Sequence, residues 1–219
     1  MKTSVKATIA AVALLLIAAI VVVVVVLTNQ RPADTADDAQ NGAAPASLIA
    51  PDTHLLAEGG SVEVVEFYDF ECPACGAFYP IVEDIVDTYE GDITYGVRYF
   101  PLQGHVNAVP AALAAEAAAQ QDRFKEMFDL LFQRQSEWSG AGGETPEVFR
   151  EYAEELGLDM DAYDAAVADV ATADRVAADY DAGVAAGVRG TPSFFVNGEQ
   201  IELTDFPDLE NAIKAALAE

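Results

Sequence analysis

The two cysteines of the chain, Cys72 and Cys75, stand in the run Cys-Pro-Ala-Cys, and the 219 residues contain no other cysteine. A pair at this spacing can open and close a disulfide with little backbone movement, and it joins no distant parts of the chain. A disulfide that closes so short a loop also stabilises a fold only slightly, because the entropic effect grows with loop length. The pair therefore predicts thiol–disulfide chemistry on other molecules.

A metal site is the main alternative meaning of a Cys-X-X-Cys pair. Zinc needs four ligands, usually two such pairs or one pair with two histidines. The chain has no second pair, and its two histidines, His54 and His105, occur in unlike contexts. We therefore expect no metal site and no resident cofactor. A carrier that binds copper or zinc through the reduced pair stays open as a rival, which stoichiometric metal binding would reveal.

The position of Cys72 at the start of a helix predicts its role. An apolar strand precedes it, and a helix with Pro73 at its first turn follows, so Cys72 should lie at or next to the N-cap. Unpaired N–H groups and the positive end of the helix dipole stabilise a thiolate there. Cys75, one turn further on, should be less exposed and should act as the resolving thiol. Because Pro73 and Ala74 carry no side-chain donor, we expect a lowered but not extreme pKa for Cys72.

Glu66 is the strongest candidate for a proton carrier, because Val64, Val65 and Phe67 flank it inside a strand that reads as buried. A buried carboxylate is costly unless it has a partner or a role, and here it could exchange a proton with Cys75. The alternative is a glutamate at the end of a strand with access to solvent. Asp69 and Glu71 lie closer to the cysteines, and we expect both to reach solvent and to oppose thiolate formation modestly.

Apolar periodicity places these residues in an α/β domain over residues 51–219. A strand, a helix and a second strand form a β-α-β unit, whose strands should be parallel. An all-helical stretch at about 105–187 follows, and a hairpin with an Asn-Gly turn and a closing helix end the chain. The predicted elements are strands at 61–70, 93–100, 193–196 and 200–203, and helices at 74–89, 109–121, 123–135, 146–156, 160–169, 173–186 and 207–217.

Residues 7–27 form an uncharged apolar run that is long enough to cross a bilayer as a helix. The run exceeds the usual apolar core of a cleaved signal peptide and lacks a good cleavage site, so we favour an uncleaved anchor. Lys2 and Lys6 precede it, which places residues 1–6 in the cytoplasm and the domain outside the cell membrane. Residues 28–50 are polar and acidic without periodicity and read as a disordered tether. The net charge of −26 argues against nucleic acid as a partner.

Three ordered motifs together resemble the DsbA-like branch of the thioredoxin superfamily, and in particular its membrane-anchored, BdbD-type oxidoreductases. The likeness covers roughly residues 55–217. The motifs are Phe67-Tyr68-Asp69-Phe70-Glu71-Cys72-Pro73-Ala74-Cys75, Arg98-Tyr99-Phe100-Pro101-Leu102 and Gly190-Thr191-Pro192-Ser193-Phe194-Phe195-Val196-Asn197-Gly198.

The resemblance implies a thioredoxin fold with an inserted helical subdomain. It also implies a cis Thr191–Pro192 bond beside the cysteines, although base rates alone favour trans. The Thr191 backbone would then pair with an extended substrate segment, and Pro73 and Ala74 would add contacts to the substrate. Glu66 corresponds to the buried acid of the family. Ala74 is a departure, since strongly oxidising members carry histidine there.

The expected function is a membrane-anchored, extracytoplasmic thiol–disulfide oxidoreductase. Its substrates would be reduced or unfolded exported proteins, and a quinone-linked membrane protein would re-oxidise it. Two rivals stay open besides the metal carrier: a reductase or isomerase with the same fold, and a chaperone-like module whose thiols are incidental. His105, three residues after the second motif, reads as a polar residue near a helix start.

Overall fold

The computed structural model describes residues 47–140 and 142–219. The predicted anchor at 7–27 and nearly all of the predicted tether lie outside these residues. Within the two described ranges, no helix is both long and apolar enough to cross a membrane. The elements, in chain order, are β1 His54–Ala57, β2 Val62–Tyr68, α1 Pro73–Thr88, β3 Ile93–Tyr99, α2 Ala108–Ala119, α3 Phe124–Gln133, α4 Gln135–Trp138, α5 Pro146–Glu155, α6 Met160–Val167, α7 Val170–Ala185, β4 Ser193–Val196, β5 Glu199–Gln200 and α8 Pro207–Leu217.

The strands form one mixed sheet in the order β1-β3-β2-β4-β5. β2 and β3 are parallel, which confirms the predicted β-α-β unit, and the other neighbouring pairs are antiparallel. β2 lies at the centre because its residues are apolar on both faces, as a strand covered on both sides requires. The carboxyl ends of β2 and β3 therefore lie at one edge, where the cysteines follow.

The hairpin between β4 and β5 turns at Asn197 and Gly198, whose φ angles of 50° and 80° suit the predicted two-residue turn. β5, the second strand of the hairpin, is shorter than predicted: it ends at Gln200, whereas the prediction extends to residue 203. The Asp208 carboxylate accepts hydrogen bonds from the N–H groups of Thr204 and Asp205. These bonds turn the chain into α8 soon after the hairpin. The edge strand β1, with only four residues, was not predicted.

Helices α2 to α7 lie between β3 and β4 in the chain, and α2 is the centre of this group. It packs against α3, α5, α6 and α7. Eight of its twelve residues are buried, and seven of these are alanines. Small side chains let four helices approach one axis closely, which explains why an alanine-rich sequence forms the middle of the helical subdomain.

A buried ion cluster fixes the helical subdomain to the sheet beside the site. Asp179 of α7 is fully buried and lies 2.6 Å from Arg98 Nε of β3 and 2.7 Å from Arg175 Nη1. The Asp179 carboxylate also accepts a hydrogen bond from the Tyr99 N–H. Separating the members of such a cluster would leave a buried charge unpaired, which is costly. The cluster therefore constrains the geometry at the end of β3 strongly.

Candidate active site

Cys72 is the N-cap of α1, with Pro73 in the first turn, as the sequence predicts. The Cys72 N–H donates to the carbonyl of Asp69, and the Cys72 carbonyl accepts from the Gly76 N–H at 3.1 Å. The side-chain amide of Gln135, at the start of α4, donates to the carbonyls of Phe70 and Cys72. The segment that leads into α1 is thus held by its own backbone hydrogen bonds and by the Gln135 amide. The Cys72 sulfur lies over the first turn of α1.

The two cysteines are free thiols with different access to solvent. Cys72 is 6% exposed and Cys75 only 1%, so an incoming sulfur can reach Cys72 first. Pro73 and Ala74, between them, are exposed. The expectation that Cys75 is the less exposed of the two is confirmed, and the attacking and resolving roles stay predictions.

The loop that contains Thr191 and Pro192 lies directly beside Cys72, although 119 residues separate them in the chain. The Thr191–Pro192 peptide bond is cis, as the resemblance implies. The Cys72 thiol donates a hydrogen bond to the Thr191 carbonyl at 3.3 Å. The ladder of β4 begins at Ser193, so the Thr191 backbone lies just ahead of the paired strand, next to the reactive sulfur.

The surroundings of Cys72 favour its thiolate. A hydrogen bond from the Cys75 thiol is the largest cause that lowers the pKa of Cys72 to about 5, and burial opposes it. The Thr191 hydroxyl and the N–H groups of Ala74 and Cys75 lower that pKa further. The same hydroxyl is buried and has no hydrogen-bond partner among the residues described, so it is available to the sulfur. When the thiol ionises, it changes from a donor to the Thr191 carbonyl into an acceptor of these bonds.

Glu66 lies under the cysteines, in the middle of β2, and only 3% of it is exposed. Burial raises the pKa of Glu66 to about 8, and the charge on Cys72 adds to this effect. The Tyr95 hydroxyl donates to its carboxyl at 3.1 Å. Burial also raises the pKa of the Cys75 thiol well above its ordinary value, and the Glu66 charge contributes to that rise. An acid that stays protonated near neutral pH and senses Cys75 can supply or take the proton of that thiol.

The expectation that Asp69 and Glu71 reach solvent is wrong, because both are buried. Asp69 accepts hydrogen bonds from the N–H groups of Glu71 and Leu102 and pairs with His105 Nδ1. Glu71 accepts from the N–H groups of Asn107 and Gly140. All of these donors except the Glu71 N–H lie in the loops that follow β3 and α4, so the two carboxylates serve to hold the segment before Cys72.

Two residues of the site were missed in the sequence, Tyr95 and Gln135, and a third, His105, was noted but given no role in the chemistry. Tyr95 lies opposite Val64 in the β2–β3 pairing, so the parallel register of that unit could have placed its hydroxyl near Glu66. His105 was interpreted as a polar residue near a helix start, and its bond to Asp69 was not foreseen because Asp69 was expected to reach solvent. Nothing in the sequence marks Gln135, because its partners are backbone carbonyls about 65 residues away.

Comparison with known proteins identifies the family and the fold of the chain. The family model described as Thioredoxin matches residues 53–215. A solved thioredoxin-like oxidoreductase from Silicibacter pomeroyi is 26% identical, with a TM-score of 0.65 over 78% of this chain and 95% of that one. BdbD from Bacillus subtilis, in its oxidised form, shares the fold at 23% identity and a TM-score of 0.66, over 76% of this chain and 94% of that one.

The curated relatives are longer proteins that contain a similar segment. Na(+)/H(+) antiporter NhaA 3 of Salinispora tropica is 44% identical over 140 residues, which is 64% of this chain and 20% of that protein. Na(+)/H(+) antiporter NhaA 1 of Mycobacterium sp. strain KMS is 33% identical over 179 residues, 80% of this chain and 26% of that protein. The chain thus spans a fifth to a quarter of the length of these relatives.

Proposed function

The chain belongs to the thioredoxin family, and from this premise we propose that it is a DsbA-like protein that forms disulfides in exported proteins. It is a thiol–disulfide oxidoreductase, with Cys72 and Cys75 as its reactive pair. The proposal rests on the surroundings of Cys72. This residue caps a helix and has a pKa lowered to about 5, and its Sγ lies 3.3 Å from the Thr191 carbonyl oxygen in the cis-proline loop. In the antiporter relatives the matched segment is a minor part of the protein, so their name gives no ground for proposing ion transport.

The first step starts from the Cys72–Cys75 disulfide form. A substrate thiolate attacks Cys72 Sγ, a new bond joins the two sulfurs, and the bond between Cys72 and Cys75 breaks. The electron pair of that bond goes to Cys75 Sγ, whose high pKa makes it a strong base. Protonated Glu66 supplies the proton, directly or through a water, so that no buried thiolate is left.

The second step releases the product. A second substrate thiolate attacks the substrate sulfur of the mixed disulfide, which forms the substrate disulfide and expels Cys72 as a thiolate. Two electrons have then passed from the substrate to the cysteine pair. A low pKa makes Cys72 a good leaving group, which favours this direction. The Thr191 backbone, beside the sulfur, can pair with an extended substrate segment, and Pro73 and Ala74 contribute exposed surface.

A measured reduction potential tests the direction of the reaction. Thioredoxin combines a cysteine pKa of ~7 with a potential of about −270 mV, and DsbA combines ~3.5 with about −120 mV. A Cys72 pKa of about 5 lies between them, so we expect a potential between about −270 and about −120 mV, measured by equilibration of the full chain with glutathione. A value at or below about −270 mV would contradict the proposal and make the protein a reductase.

We propose that residues 7–27 anchor the domain outside the cell membrane, where a quinone-linked membrane protein re-oxidises it. The basis is the length and charge bias of that segment. A membrane-impermeant maleimide, added to intact cells after mild reduction, should label Cys72, and detergent but not alkaline carbonate should extract the labelled chain. The Cys72→Ser chain is the control for labelling at that site. Labelling that appears only after cell lysis would overturn this location.

A further inference from the structure

His105 lies at the rim of the cysteine site and is held there by Asp69. Its Nδ1 is 2.7 Å from Asp69 Oδ2, and the same carboxylate accepts the Glu71 and Leu102 N–H groups. The carbonyl of Asp69 in turn accepts the Cys72 N–H. One residue therefore fixes both the imidazole and the start of the reactive helix.

The hydrogen bonds determine which form the imidazole takes. Burial raises the pKa of Asp69, while the Leu102 N–H, His105 and the Glu71 N–H oppose that rise because they bond to its carboxylate form. Toward that carboxylate Nδ1 carries a proton, and Nε2 is left for solvent or substrate on a side chain that is 29% exposed. Burial lowers the pKa of His105, but the bond to Asp69 and the charges of Asp69, Cys72 and Glu71 outweigh it and raise the value. The described groups around the ring are thus all acidic.

The segment between the cysteines contributes no charge to the thiolate, since it consists of proline and alanine. Asp69 and Glu71 are negative and oppose ionisation of Cys72. Their oxygens are, however, occupied by backbone N–H groups and by His105. In a chain with a net charge of −26, a positive group held at this position is a specific feature of the site.

We propose that His105 is a positioning residue that acts on Cys72 through its charge: Asp69, whose carbonyl accepts the Cys72 N–H, holds it as an imidazolium at the rim of the site, where it stabilises the thiolate. The inference rests on the proposed function of the cysteine pair. It makes Cys72 a better leaving group in the second step and strengthens the oxidising direction. Because the ring is partly exposed, the effect on the pKa of Cys72 should be smaller than that of a close buried pair, about 0.5 to 1.

The first test compares two histidine variants of the full chain. In His105→Gln the amide can still donate to Asp69 but carries no charge. We expect the pKa of Cys72, followed by thiolate absorbance, to rise by about 0.5 to 1, and the equilibrium constant for reduction by glutathione to fall about threefold to tenfold. The matched control is His54→Gln, since His54 also pairs with a carboxylate, Glu116 at 2.7 Å, but belongs to β1 at the far edge of the sheet. It should leave both quantities unchanged.

The second test needs no substitution. Coupling between two titrating groups is reciprocal, so a thiolate at Cys72 must raise the pKa of His105 by the amount that His105 lowers that of Cys72. The chain has only two histidines, so an NMR titration of ring-labelled histidine resolves both. We expect the pKa of His105 to be higher in the reduced than in the disulfide form by about 0.5 to 1, and that of His54 to be the same in both.

The outcomes separate this inference from the function on which it rests. Suppose that wild type exchanges disulfides, that the pKa of Cys72 is unaltered in His105→Gln, and that the pKa of His105 is the same in the reduced and disulfide forms. His105 then does not stabilise the Cys72 thiolate, and the inference is wrong. A wild-type chain that fails to exchange disulfides would overturn the proposed function, while the two titrations would still decide whether His105 and Cys72 are coupled.

Discussion

Replacing Cys75 with serine is expected to stop the reaction at the mixed disulfide and to leave one substrate bound per chain. Cys72 in this variant attacks a substrate disulfide, one substrate sulfur leaves as a thiolate, and a bond to Cys72 forms. No second sulfur remains in the chain to release the adduct. The serine hydroxyl can still donate to Cys72, so the largest cause of the lowered pKa should persist, and trapping should be fast at pH 7.

Intact mass spectrometry after incubation with a peptide disulfide measures the adduct, and reduction should remove it. The matched control is Cys72→Ser, in which only the nearly inaccessible Cys75 thiol remains. Its raised pKa and 1% exposure predict no adduct under the same conditions. Equal trapping by both variants would contradict the assigned roles. A Cys72→Ser chain that kept its full cellular function would instead support the chaperone-like rival.

The reactive half of the site could be predicted from sequence because its determinants are local. A strand that ends in Cys-Pro-Ala-Cys, followed by apolar residues at helical spacing, places Cys72 at the N-cap, and the structure has it there. Glu66 could likewise be placed in a buried strand from its apolar neighbours. Each of these inferences needs only residues that are close in the chain.

The contact between Cys72 and Thr191 could not be derived from spacing, because it depends on how β4 adds to β2 across the helical subdomain. Only the resemblance pointed to it.

The wrong expectation for Asp69 and Glu71 has the same origin. Acidic residues beside a reactive site suggest solvent exposure, but here N–H groups of residues 102, 107 and 140 satisfy them from loops that local patterns do not place.

Replacing Glu66 with glutamine is expected to stabilise the reduced protein at pH 8 while it slows disulfide exchange. The folded pKa of Glu66 is about 8 against an ordinary value of 4.5. Below pH 4.5 the group is protonated in both states and has no effect. As the pH rises to 8, only the unfolded chain loses the proton, so wild type loses on the order of 3 to 5 kcal/mol that the glutamine variant keeps. Urea unfolding at pH 5 and pH 8, in reductant, measures this difference.

The other titrating groups do not obscure this result. Cys72 has a lowered folded pKa, so its contribution to stability grows as the pH rises above about 5, but it is present in both proteins and largely cancels in their difference. Glu199→Gln, an exposed position on β5 of the same sheet, controls for the loss of a carboxylate and should change stability little. A wild type and a Glu66→Gln chain with parallel stability curves would show that Glu66 ionises freely in the fold.

The kinetic part of the same experiment links that instability to function. Glutamine has no proton to give to Cys75 when the first step breaks the disulfide, and general acid catalysis of this kind contributes typically 10²-fold or more. We therefore expect exchange with a reduced peptide to slow by about that factor at pH 7, with Glu199→Gln unaffected. A buried acid that destabilises the fold yet speeds the reaction is explained by the proton it delivers. If Glu66→Gln gained stability without losing rate, the proton of Cys75 would have to come from another group.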